Sequence, residues 1–239
     1  MRYPCVIAHR CGGALAPENT LAGLRIAARL GCGGVEFDVM LSADGVPVLI
    51  HDETLERTTD GSGRVARKPF AALRALDAGR SHGPAFTGET IPSLEDALAL
   101  CKALGLWANV EIKPSAGRDE ETGRIVGGLL AERWDGNGVV SSFSETALAA
   151  ARQGAPQFDY ALLADAISAD WRERLAATGC KAWHCAAGAD PVAIAALAAA
   201  GVPVACYTVN DRERAARLAA AGAAAVFTDR PDLWFASEM

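Results

Sequence analysis

The chain has 239 residues, with 23 Lys and Arg against 29 Asp and Glu for a formal net charge of −6. That balance argues against a broad polyanion-binding surface and leaves only a local basic site, so no nucleic-acid partner is expected. With 51% hydrophobic and 22% charged residues the chain can bury a sizeable core, which argues against intrinsic disorder; no collagen-like or low-complexity class fits. The length suits a single domain over 1–239.

The apolar run from Cys5 to Ala8 passes straight into His9 and Arg10, too short for a secretory core or a membrane span. A cytoplasmic protein without stable membrane association is therefore expected. Seven scattered cysteines with no Cys-x-x-Cys point to reduced thiols, not to a disulfide framework or a structural zinc site. Apolar β-rich runs then alternate with Ala/Leu-rich helical stretches to the end of the chain. Strands are expected at 5–9, 35–41, 107–113, 138–143, 160–163, 182–185, 202–209 and 224–228, which as eight parallel strands suggest a closed α/β barrel. The first helix starts around Asn19 or Thr20, buries Leu21, Leu24 and Ala28, and stops at Gly31. Ser93 with Asp96 resembles a capping box, opening a helix with the stripe Leu94, Ala97, Leu98 and Cys101.

One segment breaks the rhythm. Residues 46–51 are strand-like, but Ala43-Asp44-Gly45 is too short for a parallel crossover, so this run folds back as a hairpin. A two-residue type I′ turn at Asp44-Gly45 sets Ala43 opposite Val46 and Asp38 opposite His51. From 53 to about 92 follows a polar stretch with little strand signal, read as a lid or small insertion.

Chemistry concentrates on two strands. In Val35-Glu36-Phe37-Asp38-Val39 the apolar residues face one way and both acids the other. A parallel barrel strand is covered by helices outside and packed side chains inside, so the acids must enter the lumen or its upper rim. Unpaired there they cost several kcal/mol as an order of magnitude, so a cation is expected between them. Asn109-Val110-Glu111-Ile112-Lys113 repeats the device and adds a third carboxylate and an amine. Glu36, Asp38 and Glu111 favour Mg²⁺ or Ca²⁺ over zinc; the alternative is a buried Glu111–Lys113 ion pair. His9 and His51 end their strands at the same rim and suit a general base and a general acid, read here as His9 for the base and His51 for the acid. Arg10 and Lys113 suit the non-bridging oxygens of a phosphodiester, with a surface salt bridge as the alternative for Arg10. His82 and His184 lack such neighbours and are read as structural.

Ala8-His9-Arg10-Cys11-Gly12-Gly13, Pro17-Glu18-Asn19-Thr20, Glu36-Phe37-Asp38-Val39, Ile50-His51-Asp52 and Glu111-Ile112-Lys113, in that order and spacing, resemble the glycerophosphodiester phosphodiesterase family. Ile91-Pro92-Ser93-Leu94-Glu95, Tyr207-Thr208-Val209-Asn210 and Thr228-Asp229-Arg230-Pro231 extend the likeness to essentially the full length. The resemblance implies a (β/α)₈ TIM barrel that hydrolyses a small-molecule glycerophosphodiester to glycerol 3-phosphate and an alcohol such as choline or ethanolamine. It implies one divalent cation on Glu36, Asp38 and Glu111, His9 and His51 as the acid/base pair, and Arg10 and Lys113 on phosphate. It also implies that the insertion helps recognise glycerol. Two positions depart from the family pattern: Cys11 stands where Gly is usual, and Tyr207, a substrate-contact candidate, where Trp is usual. Left-handed backbone at Cys11 costs about 1–2 kcal/mol, and its thiol is either a small buried residue or a recruiter of a softer metal. The rival functions are a lipid-headgroup phosphodiesterase on the same barrel and a catalytically silent barrel that binds phosphorylated metabolites.

Overall fold

A computed structural model describes residues 2–235. In chain order these form β1 (Val6–Ala8), α1 (Leu21–Arg29), β2 (Gly34–Leu41), β3 (Pro47–Leu49), α2 (Phe70–Arg74), α3 (Leu94–Leu104) and β4 (Trp107–Ile112). There follow α4 (Asp119–Arg133), β5 (Gly138–Ser142), α5 (Glu145–Gly154), β6 (Tyr160–Ala164), α6 (Trp171–Thr178) and β7 (Ala182–Ala186). The chain closes with α7 (Pro191–Ala199), β8 (Val204–Tyr207), α8 (Arg212–Ala220), β9 (Ala225–Thr228) and α9 (Asp232–Phe235). Every strand except β3 pairs in parallel with its neighbours, and β1 pairs with both β9 and β2, so eight strands close a ring. The fold is the expected (β/α)₈ barrel.

Alternation along the strands builds two apolar layers. Val35, Phe37 and Val39 of β2 face outward and are buried with Leu24 and Ala27 of α1 and Leu94, Leu98 and Cys101 of α3. Thr20 caps α1 by accepting the Gly23 N–H, and the Ser93/Asp96 capping box opens α3 as its sequence indicates. Inside the ring, Ile7, Val139 and Phe227 close the floor with Ala161, Ala182, Ala205 and Ala225. Those small residues leave room for two rings, Tyr3 and Trp107, whose centroids lie 5.1 Å apart. The lower lumen is thus a packed core, and polar side chains are confined above it.

The hairpin after β2 differs from expectation by one residue. Its register is Val39↔Leu49, Met40↔Val48 and Leu41↔Pro47, and the Ile50 N–H donates to the Asp38 carbonyl at 3.1 Å. Asp38 therefore faces Ile50, not His51. The turn has three residues, because the Ser42 N–H donates to the Val46 carbonyl at 3.0 Å and Gly45 takes up the left-handed conformation at φ 79°. The side chains of Ser42 and Asp44 hold this shape: Ser42 Oγ accepts the Val46 N–H at 2.9 Å, and Asp44 accepts the Phe70 N–H at 2.9 Å, which ties the turn to α2. β3 is also shorter than the expected 46–51, ending at Leu49.

Val39 pairs with Ile112 on one edge and Leu49 on the other, so β3 occupies the edge that β1 vacates above Val35. The returning chain consequently leaves the ladder on the β1 side of β2. Residues 53–92 pack around a satellite core in which Leu55, Val65, Leu73, Ala78 and Ile91 meet Met40, Val48 and Ile50 of the hairpin.

Candidate active site

A cavity of about 320 Å³ opens at the C-terminal end of the parallel strands. His9, Arg10, Glu36, Asp38, His51, Glu111, Lys113 and Tyr207 all line it, so every site residue expected from the sequence converges there. None of the lining residues comes from 53–92.

Parallel register explains the carboxylate cluster. Asp38 pairs with Glu111 and Glu36 with Asn109 across β2 and β4, which fixes three inward-facing acids on adjoining strands. All three are buried, and one oxygen from each lies within 4.8 Å of the others. Oxygens coordinated at roughly 2.3–2.6 Å on opposite sides of a hard cation stand about that far apart, so a common ion is within reach of the set. Burial and then the charge of Asp38 push Glu36 well above the ordinary carboxylate range and Glu111 up to about 8. Burial works against Asp38 as well, but Lys113, His51, Asn19 and Arg10 outweigh it and hold its pKa down. Glu36 Oε1 is buried with no hydrogen-bond partner. An unpartnered oxygen among mutually repelling acids, with no sulfur or imidazole in the cluster, fits a hard divalent cation.

Lys113 lies 3.5 Å from Asp38 Oδ1, so its closest ion pair is not the Glu111 pair weighed as the alternative. Arg10 is no surface residue: its Nε is buried 3.8 Å from Asp38 Oδ2, while its guanidinium donates to Glu18 at 3.1 and 3.2 Å. The Arg10 backbone N–H donates to Glu36 Oε2 at 2.8 Å. Asn19 donates from Nδ2 to Asp38 at 2.9 Å and accepts the Asp38 N–H at 3.0 Å. These contacts require the chain to turn sharply after β1, and Arg10, Cys11 and Asn19 adopt φ of 50°, 76° and 57°. That turn is why β1 stops at Ala8 instead of His9. The Cys11 side chain is buried against α1, where Gly23 leaves space for its Cβ, and it takes no part in the acidic cluster.

Each imidazole of the pair is held at Nδ1. Asp229 Oδ1 lies 2.7 Å from His9 Nδ1, and the other Asp229 oxygen accepts from Asn210 Nδ2 at 3.0 Å. His51 Nδ1 lies 2.6 Å from Asp52 Oδ1, and Asp52 Oδ2 accepts from Arg57 Nε at 2.5 Å. Arg57 then reaches Glu18 at 2.7 and 2.8 Å, which links the hairpin to the residue that also holds Arg10. With Nδ1 engaged, Nε2 is the nitrogen left to face the cavity, and that of His9 is 3.8 Å from Glu36. Burial lowers the proton affinity of His51, only partly offset by Asp38 and Asp52.

The family model for the glycerophosphoryl diester phosphodiesterases matches residues 9–233. The chain belongs to this family. A glycerophosphodiester phosphodiesterase of Caldanaerobacter subterraneus is 31% identical over 232 residues, covering 95% of this chain and 94% of that protein. Among solved structures, an Oleispira antarctica phosphodiesterase in complex with the product sn-glycerol-3-phosphate is 40% identical, with a TM-score of 0.93 over 96% of this chain and 94% of its own. A glycerophosphodiester phosphodiesterase from Agrobacterium tumefaciens is 29% identical, with a TM-score of 0.79 over 99% of this chain and all of its own.

Sequence reasoning on this phosphodiesterase misses Asp229, Asn210, Asp52, Arg57, Glu18 and Asn19 as site residues, although most lie inside the motifs that carry the family resemblance. His184, structural by its sequence neighbours, lines the cavity floor. Its Nε2 lies 2.8 Å from the Tyr3 hydroxyl, its Nδ1 is unpartnered, and burial lowers its pKa to about 3. It is therefore a neutral imidazole at the base of the site.

Proposed function

We propose that this phosphodiesterase hydrolyses soluble glycerophosphodiesters to sn-glycerol 3-phosphate and the headgroup alcohol in the cytoplasm, using a divalent cation and two histidines. One observation carries the reading: two carboxylate-clamped imidazoles face a cavity that also holds three acids within reach of a common ion. Seven free cysteines are in keeping with a reducing compartment. No helix among the described residues is long and apolar enough to cross a membrane.

Glu36, Asp38 and Glu111 would hold Mg²⁺ or Ca²⁺, which when bound supplies positive charge to a phosphate oxygen and stabilises the charge that builds up at phosphorus. Arg10 and Lys113, both beside Asp38, are placed to bind the non-bridging oxygens. Because burial keeps His51 neutral near neutral pH, it is assigned to accept the proton of the attacking hydroxyl, and His9 to donate one to the departing alcohol oxygen. This reverses the order expected from the sequence. Asp52 and Asp229 fix the tautomers and orient the two rings.

The test is turnover of glycerophosphocholine by the purified protein with Mg²⁺ or Ca²⁺, followed as glycerol 3-phosphate release. Loss of turnover on chelation and in His51→Ala is expected. Metal-independent binding without turnover would identify a silent metabolite-binding barrel. A 1,2-cyclic glycerophosphate among the products would identify the substrate's own 2-hydroxyl as the attacking group, and its absence with solvent oxygen in the product would identify water.

A further inference from the structure

The ionic groups occupy one part of the cavity, at the ends of β1, β2 and β4 and in the hairpin return. The wall formed by β5, β6 and β8 carries a different chemistry. Phe143, which follows β5, lines the cavity and is 50% exposed. Its ring centroid lies 6.1 Å from that of Tyr207 at the end of β8, with the planes at 76°. The Tyr207 hydroxyl donates to Oδ1 of the exposed Asp165, just past β6, at 3.3 Å. Aromatic faces carry negative potential, and two of them meeting beside a carboxylate make a corner suited to an organic cation.

We propose that Phe143, Tyr207 and Asp165 form the headgroup subsite and select glycerophosphodiesters whose alcohol carries a positively charged nitrogen, as in choline and ethanolamine. The inference rests on the phosphodiesterase reading above, with the phosphate beside Arg10 and Lys113. Those two are the only Lys or Arg side chains lining the cavity among the described residues, and both lie beside Asp38. The headgroup end therefore meets no lining cation, while its two lining rings stand 6.1 Å apart and Asp165, just outside the lining, is tied to it through the Tyr207 hydroxyl. Burial first, then Asp165, pushes the Tyr207 phenol up, so it stays a neutral donor to Asp165. A neutral polyol would gain only dispersion from the Phe143 face, whereas a trimethylammonium group gains both dispersion and cation–π attraction there.

The experiment compares kcat/KM for glycerophosphocholine, glycerophosphoethanolamine and glycerophosphoglycerol, using the full chain with Mg²⁺ and, separately, with Ca²⁺. Phe143→Leu keeps an apolar side chain but removes the ring, and the choline-to-glycerol preference is expected to fall about threefold to tenfold, mainly through KM. Phe143→Trp should restore it, and Asp165→Asn should lower the preference for both cationic substrates several-fold. A loss shared equally by all three substrates, or a preference unchanged in every variant, overturns the subsite while leaving the phosphodiesterase reading intact. Failure of the unaltered protein to turn over any of the three overturns both.

Discussion

Glu111→Gln separates what the acidic cluster costs the fold from what it does for catalysis. In the metal-free protein, burial and Asp38 hold Glu111 protonated up to about pH 8, against an ordinary value of 4.5. Its folded-state pKa is raised, so the folded protein keeps a proton that the unfolded chain releases. The penalty is absent below about pH 4.5, grows as pH rises and levels off above about pH 8. At about 1.4 kcal/mol per pKa unit it reaches about 3 kcal/mol at pH 7 and about 5 kcal/mol above pH 8. Glutamine keeps the shape and cannot ionise. In chelator at pH 7 the variant should therefore melt about 6–12 °C above the unaltered protein, at about 2–4 °C per kcal/mol for a chain of this size. That gap should shrink towards zero as pH falls to about 4.5. Saturating Mg²⁺ or Ca²⁺ should stabilise the unaltered protein and narrow or reverse the difference, since the ion offsets the repulsion that glutamine lacks. Thermal unfolding followed by circular dichroism across this pH range reads the effect. A variant no more stable than its parent at pH 8, or a difference indifferent to pH, would refute the account of the cluster.

Three further outcomes test the rest of the site. His9→Ala and His51→Ala should each lower kcat by about 10²–10⁴-fold with a much smaller change in KM, measured at saturating metal. Arg57→Met removes the link between Asp52 and Glu18, and should lower kcat about tenfold by loosening His51, with partial recovery in Arg57→Lys; equal kcat in all three proteins would deny Arg57 a positioning role. Gly13→Ala should destabilise the fold by about 2–4 kcal/mol, because Gly13 has φ 60° and a Cβ there would collide with the Asp229 backbone. Its urea midpoint checks the stability loss, and a drop in kcat is expected with it, because Asp229 orients His9.

The strands and the acids are legible because parallel barrel strands read with a period of two, and burying three carboxylates on their inward positions is too costly unless a cation meets them there. Glu36, Asp38 and Glu111 need no long-range information beyond the identity of the strands. The hairpin register does, since Asp44-Gly45 fits a two-residue and a three-residue turn equally well. What decides between them is the Ser42 hydroxyl on Val46 and the hold of α2 on Asp44. His51 reaches the site despite that slip, because it lies beyond the ladder on the β1 side. Asp229 is hidden for a different reason: it is 220 residues from His9 and meets it only because β9 closes against β1. His184 carries no local signal at all, and its place depends on Tyr3 entering the barrel from below.

The three-residue turn at Ala43-Asp44-Gly45 sets where this protein is brittle. Removing one of those residues would turn Val48 and Ile50 from the satellite core towards the opposite face and draw the following imidazole away from its partners. The segment 53–92 contributes no cavity-lining side chain, and Arg57 is its one residue bonded to the partner of His51. Vulnerability to mutation here follows the parity of strand pairing, and a small insertion or deletion far from the phosphorus atom can silence the enzyme more completely than rewriting a whole exposed loop.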